Sequence, residues 1–315
     1  MDLVTFGEAM VRLTPPAFQQ LEQAHSFDIY VGGAELNVAV VAARLGIKSC
    51  WVSRLPDNAL GRMIANRARE QGVDARVDWA PETRAGLYFA ELGAAPRASS
   101  VLYDRAASAI SRVTPGSIDW PTVFAGARWY HVSGITPALS DGAAKVTAES
   151  LAAAKKAGLT VSYDLNYRSK LWSAKQACAV QEPLLEHVDV LITTEEDARV
   201  VFGAESAESL APRFDLSAVA ITSPRESPHA AIVAADGKVH TAPRYDVEVV
   251  DRFGAGDAFT GGLIVSRLET RGWDDAVRFA TATSALKHTI PGDFCLVTRN
   301  EVDQLLRGAS LRVSR

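Results

Sequence analysis

Residues 251–263 read DRFGAGDAFTGGL, with two acids and four glycines in thirteen positions. The stretch runs straight into an apolar, helix-like segment, with Asp257 at the junction. Gly254 and Gly256 can take positive φ and bring main chain close to a ligand. A helix that starts near Asp257 leaves its first N–H groups unpaired, and the helix dipole adds to their pull on an anion. Such a nest suits a phosphoryl group that gains and sheds charge in transit. Asp257 itself has two readings. One is a cap on the helix, a role in which Asp contributes about 1 kcal/mol. The other is a general base that takes a proton from a hydroxyl while the amides hold the phosphoryl group. The chain contains no GxxxxGK[ST] loop. Nor does a GxGxxG fingerprint follow its first strand, so a dinucleotide site is poorly supported.

Placing these groups takes a scaffold, and the pattern predicts one. Apolar runs expected as strands are Leu3–Phe6, Ser49–Val52, Trp129–Val132, Thr160–Tyr163, Val188–Ile192, Ala218–Ile221 and Ala230–Val233. Most are continuous, as in strands covered on both faces. Between them, helical stretches Glu35–Leu45, Leu60–Gln71, Asp141–Ala157 and Glu195–Phe202 each precede a glycine, the usual left-handed stop. The alternation implies βαβ units and a mostly parallel sheet between helices. Residues 82–112 break the rhythm. "GLYFAEL" and "SSVLYD", joined by "GAAPRA", read as an antiparallel hairpin too small to stand alone. The stretch Arg12–Tyr30 is assigned to the same accessory layer.

Composition narrows the function classes. The 315 residues are 48% hydrophobic and 22% charged, with a net charge of −4. That balance offers no footprint for nucleic acid or an anionic membrane. No apolar run approaches the roughly 20 residues that span a bilayer. MDLVTFGEAM reads as a strand and not as a signal peptide. The three cysteines are scattered, which fits a reducing compartment and argues against a disulfide framework or a zinc site. The expectation is a cytoplasmic enzyme.

DRFGAGDAFTGGL resembles the C-terminal signature of the ribokinase-type (PfkB) carbohydrate kinases, D-x-x-G-A-G-D followed by F-x-x-G. YVGGAELNVAVVAARLG, residues 30–46, resembles their N-terminal signature, and the two stand in the expected order. YHVSGITPALS, DLNYRSKLW and KHTIPGDF add a likeness to the 2-keto-3-deoxygluconate kinases within that family. The resemblance implies a ribokinase-like three-layer α/β/α sandwich, one kinase domain over residues 1–315. Its sheet would have about nine strands, and a β-lid would be built from roughly 9–35 and 82–112. Dimers through paired lids are a further implication. So is the reaction: transfer of the ATP γ-phosphate, with Mg²⁺, to a sugar hydroxyl. Asp257 matches the base, and Gly254, Ala255 and Gly256 match the anion hole. Gly33, Ala34, Asn37, Tyr88, Tyr103, Arg105, Ile135, Arg168 and Asp293 match sugar contacts. Asn166, Arg168, Thr222, Ser223, Arg225, Gly254 and Gly256 match the nucleotide side. Read without the resemblance, Asn37 is a surface amide, Tyr88 and Tyr103 are half-buried hairpin aromatics, Arg105 is solvated and "PGD" is a turn. Two arginines at a sugar favour an acidic substrate, because a guanidinium grips a carboxylate in bidentate fashion.

The chain also departs from the family. Thr194 and Asp197 stand where Asn-x-x-Glu is common, so Glu195 and Asp197 are the candidate groups toward Mg²⁺. Pro224 replaces a usual glycine beside Arg225, which reshapes the nucleotide side. Arg252 occupies a usual Thr or Ser position in a loop that often bears on K⁺, which leaves a monovalent cation open. Competing expectations are a kinase for fructose, ribose or another sugar acid, a sugar-binding protein without catalysis, and a nicotinamide dehydrogenase.

Overall fold

Alternate residues of the apolar runs face opposite ways, and the core is divided accordingly. Val4, Phe6, Tyr130, Val132, Leu191, Val219 and Ile221 enter one buried cluster. Leu3, Trp129, Val190, Ile192, Ala218 and Ala220 enter another on the opposite face of the same strands. A strand whose successive side chains are all buried needs a helical layer on each side, and the chain supplies both. The computed structural model describes residues 1–204, 206–222 and 229–308.

In chain order the strands are β1 (Leu3–Phe6), β2 (Met10–Thr14), β3 (Asp28–Gly32), β4 (Ser49–Pro56), β5 (Asp74–Ala80), β6 (Gly86–Glu91), β7 (Ser100–Asp104), β8 (Trp129–Ser133), β9 (Thr160–Asp164), β10 (Val190–Thr194), β11 (Ala218–Thr222), β12 (His229–Ala235) and β13 (Lys238–Pro243). Nine of them form one sheet, ordered β13-β12-β11-β10-β9-β8-β1-β4-β5. From β11 to β5 all neighbours are parallel, and β12 and β13 close one end as antiparallel strands. Helices Asp141–Lys156 and Glu195–Phe202 cover one face. Helices Ala34–Arg44, Ala255–Leu268 and Trp273–Lys287 cover the other. This is the three-layer α/β/α sandwich expected from the sequence. Gly46, Gly72, Gly158 and Gly203, which follow the predicted helices, all have positive φ.

Two strands escaped the sequence reading. β5 is a half-exposed edge strand, DARVDWA, in which three charged residues break up the apolar run that marks its neighbours. β13 is half-exposed, ends in Pro243 and pairs only with β12. β10 starts two residues later than predicted, because Leu185–His187 closes as a 3₁₀ turn with the Val188 amide bonded to Leu185 O.

The remaining four strands form a second sheet, ordered β3-β2-β6-β7. β6 and β7 are the predicted antiparallel hairpin, and β2 and β3 supply the accessory strands anticipated from Arg12–Tyr30. The link between the two pairs is parallel, β2 to β6. Alternation splits this sheet as well. Arg12, Tyr30, Tyr88 and Tyr103 pair across one face. Leu13, Ile29, Phe89 and Leu102 pair across the other, where Ile29 is 54% and Leu102 58% exposed. No described helix is long and apolar enough to cross a membrane.

Candidate active site

The chain leaves β1 for β4 and β5 on one side, then returns to lay β8 to β11 on the other. The order therefore reverses between β1 and β8, and ligands of open α/β sheets bind at the carboxyl ends of strands at such a point. Two cavities open there side by side. The first is walled by Gly33, Ala34, Asn37, Tyr88, Tyr103, Arg105, Ile135 and Asp293, together with Glu8 and Met10. The second is walled by Asp164, Thr194, Asp197, Thr222, Arg252 and Gly256. Asn166, Arg168, Phe253, Gly254 and Asp257 line both.

Asp257 stands where the cavities meet. It is the third residue of the helix Ala255–Leu268, and the N-cap position belongs to Gly254. The capping reading of Asp257 is thereby excluded. Gly254 holds φ 78°, and a Cβ there would lie 2.0 Å from Asp293 O, so both conformation and space demand glycine. The amides of Gly254, Gly256 and Asp257 have no protein acceptor among the described residues, while that of Ala255 turns back to Arg252 O at 3.3 Å. Ala255 is buried and lines neither cavity. The later glycines of the motif do something different. A Cβ on Gly261 would come within 2.6 Å of Val41, so this glycine lets the Ala34–Arg44 and Ala255–Leu268 helices touch. That contact brings the two helix N-termini together at one point.

Asn37 rides on the first of those termini. It is 3% exposed, and its Nδ2 donates to Asp257 Oδ2 at 2.6 Å. The surface-amide reading of Asn37 therefore fails. Burial pushes the Asp257 carboxyl up to about 6, against the opposing pull of the Asn37 hydrogen bond and the Arg168 charge. Asp164, at the end of β9, is pushed up to about 8 by burial and by the neighbouring Asp257 charge. Burial raises both neighbouring carboxyls, and the Asp257 charge adds to the shift at Asp164, so the two titrate as a coupled pair. Asn166, two residues on, holds φ +40°, a left-handed conformation that Asn tolerates, and its amide donates to Asp164 Oδ1 at 3.1 Å. Sequence reasoning passed over Asp164, although its place at a strand end in DLNYRSKLW was the available signal.

Arg105 is not a solvated side chain. It is paired with Glu8, which also accepts Ser108 Oγ at 2.5 Å, and it lies 5.5 Å from the Tyr103 ring. Its Nε is buried and has no acceptor among the described residues. A buried guanidinium N–H without a partner fits a ligand that brings its own acceptor. Glu8 was missed in the sequence, where an acid two residues past a strand at the switch point was the clue. Arg168 is exposed, and its Nη1 reaches Tyr167 O at 3.0 Å.

Tyr88 and Asp293 are likewise more deeply placed than hairpin or turn residues would be. Both are buried, and the Tyr88 hydroxyl donates to Asp293 Oδ1. Asp293 Oδ2 accepts Arg12 Nη1 at 3.0 Å, so both carboxylate oxygens already have protein partners. Arg12 is itself fully buried, lies 4.4 Å from the Phe253 ring and reaches Asp251 at 2.9 Å. This buried charge network had no signature in the sequence.

The metal assignment divides. Asp197 lines the second cavity, whereas Glu195 lines neither. No three His, Cys, Asp or Glu side chains among the described residues are placed to hold a metal between them. Asp164 and Asp197 could still serve an ion that keeps several waters and takes its other ligands from phosphates, which is the habit of Mg²⁺. Ser223 and Arg225 lie outside the described residues.

Comparison with known proteins agrees with this geometry. A family model described as pfkB family carbohydrate kinase matches residues 1–293. The 2-dehydro-3-deoxygalactonokinase of Haloferax volcanii is 40% identical over 319 residues, spanning 100% of this chain and 99% of that protein. The crystal structure of 2-dehydro-3-deoxygluconokinase from Thermotoga maritima superposes with a TM-score of 0.93 at 41% identity, covering 98% of each chain. A putative ribokinase II from E. coli, in complex with ATP and Mg²⁺, shares the fold with a TM-score of 0.87 at 20% identity over 98% of this chain and 99% of that one. With matched signatures at both ends, a sandwich of the same topology and a glycine-lined helix start at the switch point, the chain belongs to the pfkB family of carbohydrate kinases.

Proposed function

We propose that this kinase transfers the ATP γ-phosphoryl group to the terminal hydroxyl of a 2-keto-3-deoxy sugar acid. The observation that carries the reading is the meeting of two cavities at Asp257, with Arg105 in the wall of the first and the unbonded amides of Gly254 and Asp257 where the two join. The sugar acid occupies the first cavity, with its carboxylate at the arginine side. Asp257 takes the hydroxyl proton, the oxygen so freed attacks the γ-phosphorus, and ADP departs with the broken P–O pair. The amides of Gly254, Gly256 and Asp257 hold the charge of the moving group, the kind of fixed-dipole stabilisation that dominates such reactions. Asn37 orients the base. Thr222, Asn166 and Arg168 are assigned to the nucleotide side. Asp164 and Asp197 would hold Mg²⁺, which neutralises phosphate charge when bound.

The substrate class follows from Arg105. Its Nη2 is on Glu8 and its Nε is orphaned, so a ligand carboxylate makes a charge-assisted hydrogen bond there, stronger than the one a sugar hydroxyl oxygen accepts. Arg105→Ala is expected to lower kcat/KM for the sugar acid by about tenfold or more, the size of a lost charged hydrogen bond, and to leave turnover of fructose or ribose nearly unchanged. An assay of the purified protein across 2-keto-3-deoxygluconate, its galactose-series epimer, fructose and ribose tests the reading itself. Turnover of a neutral sugar in preference to both acids overturns it. The galactose-series acid is a second reading, favoured by the name of the Haloferax volcanii relative.

The small sheet is proposed as a lid over the first cavity, and the protein as a dimer through its outer face. Ile29, Leu13, Phe89 and Leu102 form an apolar row across all four strands there, with Phe27 packed on Phe89 at 5.9 Å. An exposed apolar stripe of this length usually marks an interface. Leu102→Glu is expected to shift the protein to monomer in sedimentation. A monomeric wild-type protein would rule the dimer out.

A further inference from the structure

We propose that the loops carrying the amide nest hold a cation of their own, the Lys287 ammonium beside the Arg12 guanidinium, in place of an exchangeable monovalent ion. The inference concerns regulation of the proposed kinase site and rests on that reading.

Two segments meet under the nest. The amides of Val250 and Asp251 both donate to His288 O, at 2.8 and 3.1 Å. In return the Gly292 amide donates to Asp251 Oδ2 at 2.9 Å. Gly254 sits directly on the Asp293 carbonyl. The position of the nest therefore depends on how firmly residues 250–254 and 288–293 are clamped together.

The clamp is charged and fully enclosed. Lys287 is 0% exposed, and its Nζ donates to Ile290 O at 3.0 Å, inside the second segment. Arg12, also 0% exposed, spans the clamp with Nη2 2.9 Å from Asp251 and Nη1 3.0 Å from Asp293. Burial lowers the Lys287 pKa, and the charges of Asp251 and Asp293 oppose that shift. Both oxygens of Asp251 are already engaged: Oδ1 accepts the Phe253 amide at 3.0 Å, and Oδ2 accepts the Gly292 amide and lies 2.9 Å from Arg12 Nη2 in an ion pair.

Charge counting then decides what else can enter. Two cations and two carboxylates balance within the enclosure. A potassium ion would add an uncompensated positive charge where water cannot screen it, and at Asp251 it would meet the Arg12 guanidinium already 2.9 Å away. The K⁺ allowed by family likeness does not fit these residues. Arg12 comes from β2 of the small sheet, so the same clamp ties that sheet to the amide nest.

The experiment measures melting temperature and kinase turnover of the wild-type protein in KCl, NaCl and tetramethylammonium chloride at one ionic strength. An ion bound specifically to the folded state raises its stability, so the expected result is the same melting temperature in all three salts, with turnover constant within about twofold. The second arm is Lys287→Met, which keeps an unbranched stem and removes the charge. This variant is expected to lose about tenfold or more in turnover and to regain part of the loss in KCl, where the vacated charge is replaced. The proposal is overturned if the wild-type protein melts higher or turns over about tenfold faster in KCl than in tetramethylammonium chloride. It is also overturned if folded Lys287→Met keeps full turnover in every salt. Should that variant fail to fold, the wild-type salt series decides alone. Should no sugar be phosphorylated, the melting temperatures still test the clamp while the kinase reading falls separately.

Discussion

Replacing Asp257 by Asn is expected to lower kcat by about 10²- to 10⁴-fold, the usual contribution of a positioned general base. The amide is nearly isosteric and keeps an oxygen for the Asn37 hydrogen bond, so KM for the sugar should change far less. Single-turnover kinetics and substrate titration separate the two effects. The pH profile provides an independent reading. Burial holds the Asp257 carboxyl at about 6, above the ordinary carboxylate range. The working base is the ionised form, so kcat/KM should rise with pH through about 6 and level off above it. Asp257→Asn should abolish this acid limb, and Asn37→Ala should move it to higher pH, since the lost donor stabilised the ionised form. Near-normal turnover in Asp257→Asn would leave the acid with a purely structural role.

Gly254→Ala should be the second severe change, for a reason that lies in the backbone. Alanine must adopt φ near 78° and place its Cβ 2.0 Å from Asp293 O, so the nest or the Asp293 loop has to move. Left-handed alanine alone costs about 1–2 kcal/mol. Displaced amides should lower kcat by about 10²- to 10³-fold, the range seen when a fixed oxyanion donor is lost. Melting temperature and kcat should fall together. At Gly256 a Cβ meets no protein atom, so Gly256→Ala should leave the melting temperature unchanged. Equal melting temperatures for the two variants would argue that the Gly254 contact is soft.

Much of the fold was written locally. Continuous apolar runs mark strands buried on both faces, and Gly46, Gly72, Gly158 and Gly203 mark helix ends by conformation alone. β5 was illegible because an edge strand with polar residues carries neither signal. The nest was legible for the same local reason, since glycines and an acid at a helix start are neighbours in the chain. Its details were not. The capping reading of Asp257 depends on where the helix begins, and the cap is Gly254, three residues earlier.

Local pattern was enough for most of the element order, for the parallel sheet between helices and for a glycine-rich helix start with one acid beside it, because capping, alternation and turn chemistry act over a few residues. Tertiary structure alone decided what each charged group touches. Asn37 meets Asp257 across 220 positions, Arg12 meets Asp293 across 281, and Arg105 is claimed by Glu8 across 97. Such pairs form only when strand order brings distant loops to one edge of the sheet. Buried charges then take whatever partner lies within reach, because leaving them unpaired out of water costs more than any local preference can return.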